Sequence, residues 1–236
     1  MIHSFHAFEQ TQMLSQVHKN SSTCQRFIHD ARLVDAARQL LGDDVYVHQS
    51  RVNYQLPFIG TGFYWHSDFE TWHCEDGMPL PRALSAVILT GENRPWNGAL
   101  MLVPGSHKVY VRCPGETPEA NWENSLRDKQ KYGTPPEHLL EELVEKRGIT
   151  YAEGNAGDVI LFDSNTMHGS HSNISPVPRS NLFTVFNSVS NLLELPAEGT
   201  DPRPESIGVR DAAWTCPIKP IHGRIAGMCE SSSERR

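Results

Sequence analysis

Residues 31–41 place Leu33, Val34, Ala37, Leu40 and Leu41 on one stripe of a 3.6-residue helix, with Asp30 positioned to cap its start and Gly42 to stop it. A second such stripe, Leu139, Leu140, Leu143 and Val144, predicts a peripheral helix over 137–147 that ends at Gly148. Most of the remaining pattern has the two-residue period of strands. Residues 45–56 alternate, with Tyr46, His48, Ser50 and Val52 on one face and Val47, Gln49, Arg51 and Asn53 on the other. Further strands are expected at 63–66, 83–90, 99–103, 150–152, 158–163 and 181–189, with a lid loop after 63–66, a turn at 91–98 and a polar, proline-containing insertion at 112–136. Short strands separated by turn residues at near-regular intervals predict a mainly β protein of jelly-roll type with flanking helices.

The polar face of the 45–56 strand admits two readings. Inside a barrel such a face is costly unless it holds a ligand, which would make Gln49 and Asn53 pocket residues; on an edge strand it would simply face solvent.

Length and composition bound the rest. The chain has 236 residues and 38% hydrophobic content, enough for one sizeable core, so a single domain is expected. A net charge of −7 argues against a phosphate-backbone partner, and nucleic acid is not expected. No run approaches the ~20 apolar residues of a membrane span, and the start lacks a secretion-signal profile, so a cytoplasmic location without membrane association is expected. Five cysteines without a C-x-x-C spacing predict reduced thiols rather than a disulfide frame or zinc knuckle. Cys74 lies near the chemistry described next and is either oxidation-sensitive or an ordinary packed thiol.

The segment HSDFETWH at 66–73 holds a His-x-Asp pair, His66 and Asp68, and His168 lies far downstream in DSNTMHGS, directly after an apolar run. Two imidazoles and one carboxylate on one face of an iron(II) ion leave positions open for a chelating cosubstrate and oxygen. At the end of a strand, side chains spaced i, i+2 point the same way. Arg179, eleven residues past His168, supplies the fixed forked cation that the remote carboxylate of a 2-oxo dicarboxylic acid needs. With twelve histidines in the chain, a lone His-x-Asp pair has a structural explanation, and an arginine in a Pro-Arg-Ser loop is ordinarily a surface charge. It is their combination that points to iron and a keto acid.

The stretch from His48 to His107, above all FYWHSDFETWHCEDGMP, closely resembles the ectoine hydroxylases, a branch of the phytanoyl-CoA dioxygenase superfamily, and the similarity continues through CPGETP at 113–118 and LFDSNTMHGSHSNISPVPRSNLFTVFNSVSN at 161–191. It runs over about residues 31–204. The resemblance implies a double-stranded β-helix carrying the metal in its open mouth, with 1–30 a poorly matching lead. Residues 205–236 form a tail with little periodic pattern, whose last dozen residues are expected to be disordered. The resemblance also implies His66, Asp68 and His168 as ligands of Fe(II), and Arg179, Asn53, Gln55 and Ser170 as contacts of the cosubstrate 2-oxoglutarate. It places Gln49, Trp72, Asn181 and Phe183 around the substrate; a tryptophan merely packed under the lid is the alternative for Trp72. His73 and His107 are left structural.

The implied reaction consumes molecular oxygen, converts ectoine to 5-hydroxyectoine and releases succinate and carbon dioxide. Two departures stand out. The family's lysine after an Asn-Tyr pair is Gln55 here, and the several tens of residues that the family carries ahead of the region matching Ala31 correspond to a short lead, whose compensation could be a homodimer. A related hydroxylase of another small polar metabolite, or a truncated non-catalytic ligand-binding barrel, are the alternatives.

Overall fold

The computed structural model describes residues 6–7, 11–113, 133–196 and 201–223. The middle of the 112–136 insertion and the last dozen residues, read above as a polar loop and a disordered end, lie outside the described residues.

Helix packing fixes one side of the molecule. In α3 (Ala31–Leu41) the Asp30 side chain accepts from Arg32 N at 2.9 Å, and Gly42 ends the helix at φ 65°, a left-handed conformation that costs glycine little. Most of the stripe read from the sequence packs, with Leu41 partly buried, but Leu40 is exposed. Leu33, Val34 and Ala37 are buried against Val45, Val47, Leu84, Ala86, Leu182 and Phe186 of the sheet beneath, joined by Val17 of α1 (Val17–Asn20) and Ile28 of α2 (Ser22–Ile28).

That sheet has six strands in the order β1 (His6–Ala7), β2 (Thr11–Ser15), β3 (Val45–Gln55), β10 (Arg179–Ser188), β5 (Ala83–Leu89), β8 (Val159–Asp163). A four-stranded sheet, β4 (Phe63–His66), β9 (His168–Ser170), β6 (Leu100–Leu102), β7 (Thr150–Tyr151), forms the second layer. Every strand pair is antiparallel. Two facing antiparallel sheets with this non-sequential order form the double-stranded β-helix, a jelly roll, with helices packed on the larger sheet. Within the 1–30 lead, β2 pairs with β3, and α1 and α2 join the core, so residues 11–30 are part of the sheet-and-helix layer. From the 205–236 tail, Ile218 enters the same core and Ile218 N donates to Val45 O at 2.9 Å.

Two local readings of the sequence need correction. In β3, Val47 opposes Phe186 and Gln49 opposes Val185, so His48 has no opposite number and forms a bulge. An unpaired residue switches the parity of side chains beyond it. Val47 thus faces the outer apolar core together with Val52, whereas Gln49, Arg51 and Asn53 face inward, and a strict two-residue alternation misassigns half the strand. The expected lid loop after β4 is helix α4 (Asp68–Asp76), closed by Gly77 at φ 69°. A Cβ at Gly77 would sit 2.2 Å from Glu194 O, so this turn requires glycine both for its torsion and for the close approach of the chain. Helix α5 (Glu137–Arg147) stands where the periodicity placed it.

Candidate metal centre

β4 and β9 pair so that His66 lies directly opposite His168, which brings the two imidazole centroids to 4.3 Å. The chain then leaves β4 and turns into α4, whose first residue is Asp68. The aspartate therefore comes from a helix start rather than from a continued strand, as the simple i, i+2 argument assumed.

Each histidine is held through Nδ1 by the carbonyl two residues earlier, His66 by Tyr64 O at 2.7 Å and His168 by Thr166 O at 2.9 Å. A carbonyl can only accept, so Nδ1 carries the proton and Nε2 presents its lone pair. Both Nε2 atoms point at the same carboxylate, at 3.8 Å from Asp68 Oδ1 and Oδ2 respectively, and the three ligand atoms lie within 4.8 Å of one another. Burial, then the neighbouring His168, lowers the His66 pKa to about 4, which keeps the ring a neutral donor. Burial pushes the Asp68 carboxyl up, but His168, His66, Arg51 and Arg203 outweigh it and hold the group below the ordinary aspartate value. Two imidazoles that present Nε2 and one carboxylate at this spacing form a facial ligand set for a divalent first-row metal, with the opposite side open to the cavity.

Arg179, at the start of β10, borders that cavity. It is 1% exposed, yet no carboxylate pairs with it among the described residues. Its Nη2 has no hydrogen-bond partner, and burial lowers its pKa to about 10. An uncompensated buried guanidinium is costly, and an anion entering the cavity would relieve the cost with a two-pronged hydrogen bond. Asn53, across the sheet and lining the same cavity, has a buried Oδ1 without a partner.

The other sequence-derived residues divide. Gln49, Trp72 and Phe183 line the cavity, and Arg51 stacks over Phe183 with its guanidinium carbon 5.0 Å from the ring centroid. Ser170 lies next to the cavity wall on β9, its hydroxyl accepting from Phe63 N at 3.2 Å. Asn181 is fully buried behind Arg179. With its amide oriented by the surrounding network, its oxygen accepts from Asn93 Nδ2 at 3.0 Å and from Arg179 Nη1 at 3.3 Å. Gln55 is likewise fully buried and touches Arg179 rather than lining the cavity.

Three charged residues of the cavity wall were not singled out from the sequence: Arg51, Glu75 and Arg203. Arg51 shares the inward face of β3 with Gln49 and donates to Gln49 Oε1 at 3.0 Å, so the polar face was the available signal. Arg203 lies in irregular chain with no periodic pattern, and only the fold brings it to the site. His73 bonds Met78 O through Nδ1 at 2.7 Å, and the carbonyl of His107 accepts from Asn165 at 2.9 Å; both stand outside the cavity. No disulfide joins the described cysteines.

A sequence profile of the family described as phytanoyl-CoA dioxygenase matches residues 2–181. The chain belongs to the phytanoyl-CoA dioxygenase family. Relatives within it include the ectoine dioxygenase of Sphingopyxis alaskensis, 56% identical over 189 residues that cover 80% of this chain and 61% of the relative, and that of Nocardia farcinica, 53% identical over 196 residues, 83% and 65%. The chain thus spans about three-fifths of the length of such phytanoyl-CoA dioxygenase family relatives. Among solved structures, EctD from S. alaskensis with 2-oxoglutarate and 5-hydroxyectoine superposes with a TM-score of 0.77 at 45% identity, covering 91% of this chain and 68% of that one. The same EctD has also been solved with bound iron, at a TM-score of 0.74, 43% identity and the same coverage. No described helix is long and apolar enough to cross a membrane.

Proposed function

We propose that this protein is an iron(II)- and 2-oxoglutarate-dependent dioxygenase that hydroxylates ectoine to 5-hydroxyectoine, releasing succinate and carbon dioxide. The observation that carries the reading is the shared cavity: His66, Asp68 and His168 converge at one wall, and Arg179, buried and without a counter-ion, stands at another. The donor set suits iron(II), and the unsatisfied Nη2 suits the distal carboxylate of 2-oxoglutarate. The relatives' names and the ligands in the EctD structure agree with this chemistry.

Iron bound by the three ligands would supply the activation of molecular oxygen, coupled to decarboxylation of the keto acid. The chain's own residues do the rest. Tyr64 O and Thr166 O hold the imidazoles in the metal-binding tautomer. Arg179 fixes the far end of the cosubstrate and Asn53 offers a polar contact beside it. Ectoine is a small zwitterion, and the wall has groups for both its ends: Arg51 for the carboxylate and Trp72 for the delocalised amidinium, with the Arg203–Glu75 ion pair alongside. An indole attracts a desolvated cation by up to ~2 kcal/mol. Ser206 and Ile207 line the cavity too.

The test is substrate-dependent succinate release by the iron(II)-reconstituted protein with ectoine and, separately, proline. Succinate and 5-hydroxyectoine formed with ectoine support the proposal. Succinate only with proline identifies a different small-molecule hydroxylase, and turnover with neither identifies a non-catalytic binding barrel.

A further inference from the structure

Arg179 opens β10 directly opposite Gln55, which closes β3. Cross-strand neighbours of this kind sit close enough for side chains to bond. The Arg179 Nε donates to Gln55 Oε1 at 3.4 Å, while the Gln55 amide nitrogen donates to two main-chain carbonyls, Thr61 O at 2.6 Å and His171 O at 3.1 Å.

These bonds fix which end of the carboxamide faces the arginine. Turning it over would set its oxygen against two carbonyl oxygens and its nitrogen against a guanidinium, losing all three interactions. The slot around the side chain is also narrow. A Cβ on Gly98, which holds φ +88°, would lie 2.0 Å from Gln55 Oε1, and one on Gly60 would lie 3.0 Å from Gln55 Cγ. Both amide protons are thus committed to the backbone and only the oxygen is presented to Arg179.

We infer that Gln55 is a positioning residue for Arg179, a neutral acceptor that locks the Nε edge of the guanidinium while leaving its full charge for the distal carboxylate of a 2-oxo dicarboxylic acid. This rests on the cosubstrate reading proposed above and departs from the direct cosubstrate contact that the resemblance implied for position 55. A carboxylate here would neutralise Arg179 and compete with the incoming anion. A neutral acceptor, with Asn181 holding Nη1, leaves Nη2 as the free prong.

The test compares two keto acids, 2-oxoglutarate and 2-oxopentanoate, which share the metal-chelating end and differ only in the distal carboxylate. Anaerobic titration of the iron(II) protein, followed by the visible band of the keto-acid chelate, gives a dissociation constant for each. The variants are Gln55→Glu and the volume-matched Gln55→Met, studied below their measured melting temperatures. The wild type should prefer 2-oxoglutarate. Both variants should lose on the order of tenfold or more of that preference, with 2-oxopentanoate affinity unchanged and the larger loss for Gln55→Glu. Equal weakening of both acids would make Gln55 a structural support, and an unchanged preference in either folded variant would remove its influence on Arg179; each result overturns the inference. A wild type that forms no chelate with either acid would overturn the cosubstrate reading itself.

Discussion

Arg203 holds Asp76 through both Nε and Nη2 at the C-terminal end of α4, where the aspartate is wholly buried. Arg210 adds a bond from Nη2 to Asp76 O at 2.7 Å, and Gln49 donates to Ile207 O. The irregular segment carrying Arg203, Ser206 and Ile207 is thereby fastened to the helix whose first residue is Asp68. Metal site and cavity wall share one ionic anchor.

Asp76→Asn should destabilise the fold strongly, by about 3 kcal/mol, because it removes both carboxylate contacts of the buried Arg203 and leaves only the more distant Glu75, at 4.0 Å, as counter-charge. Burial raises the Asp76 pKa, but Arg203, then His48, outweigh it and depress the group well below 3.8. Its stabilising contribution is therefore complete above the unfolded value and declines as pH falls through and below it. In urea unfolding, the gap between wild type and Asp76→Asn should stay constant from about pH 7 to 5 and narrow below about pH 4. A gap unchanged down to pH 3 would show that the pair is not the source of the stability.

His18 acts in the same direction but in a higher pH window. It lies buried on α1 with Nδ1 2.6 Å from Ser50 Oγ, and burial first, then Lys19 and His29, lowers its pKa from 6.5 to about 4. The unfolded chain takes up this proton at higher pH than the folded one, so stability falls as pH drops from about 6.5 towards 4, by up to roughly 3 kcal/mol. His18→Gln should flatten the stability–pH curve in that window. An unaltered slope would assign the acid sensitivity elsewhere.

Trp72 is buried at the cavity wall, its ring edge-on to His48 with centroids 5.1 Å apart. Trp72→Ala should leave the iron and keto-acid chelate intact and raise the KM for ectoine by on the order of tenfold, in line with a lost cation–π contact. Loss of chelation in this variant would mean that the indole supports the metal site rather than the substrate.

The sequence carried the capped helix 31–41 and most of the strands between residues 45 and 188, because each depends on local periodicity, but β1, β2 and the β9 strand that holds His168 were not expected. The β3 bulge escaped, since an unpaired His48 leaves no mark in an alternating pattern. Helix α4 escaped for a different reason: its buried positions include Glu70, Glu75 and Asp76, tolerable only through distant partners such as Cys113 N and Arg203. Arg203 itself could be found only in three dimensions. The cavity settles the open reading of Gln49 and Asn53, which lie on an inward face between β2 and β10 and not on a sheet edge.

The most direct test is anaerobic addition of 2-oxoglutarate to the iron(II) protein while recording the visible spectrum. The account predicts a weak charge-transfer band in the wild type, no band in His66→Ala, and in Arg179→Leu a band that needs at least about tenfold more 2-oxoglutarate. A band that survives loss of His66, or a wild type that forms none, would contradict it.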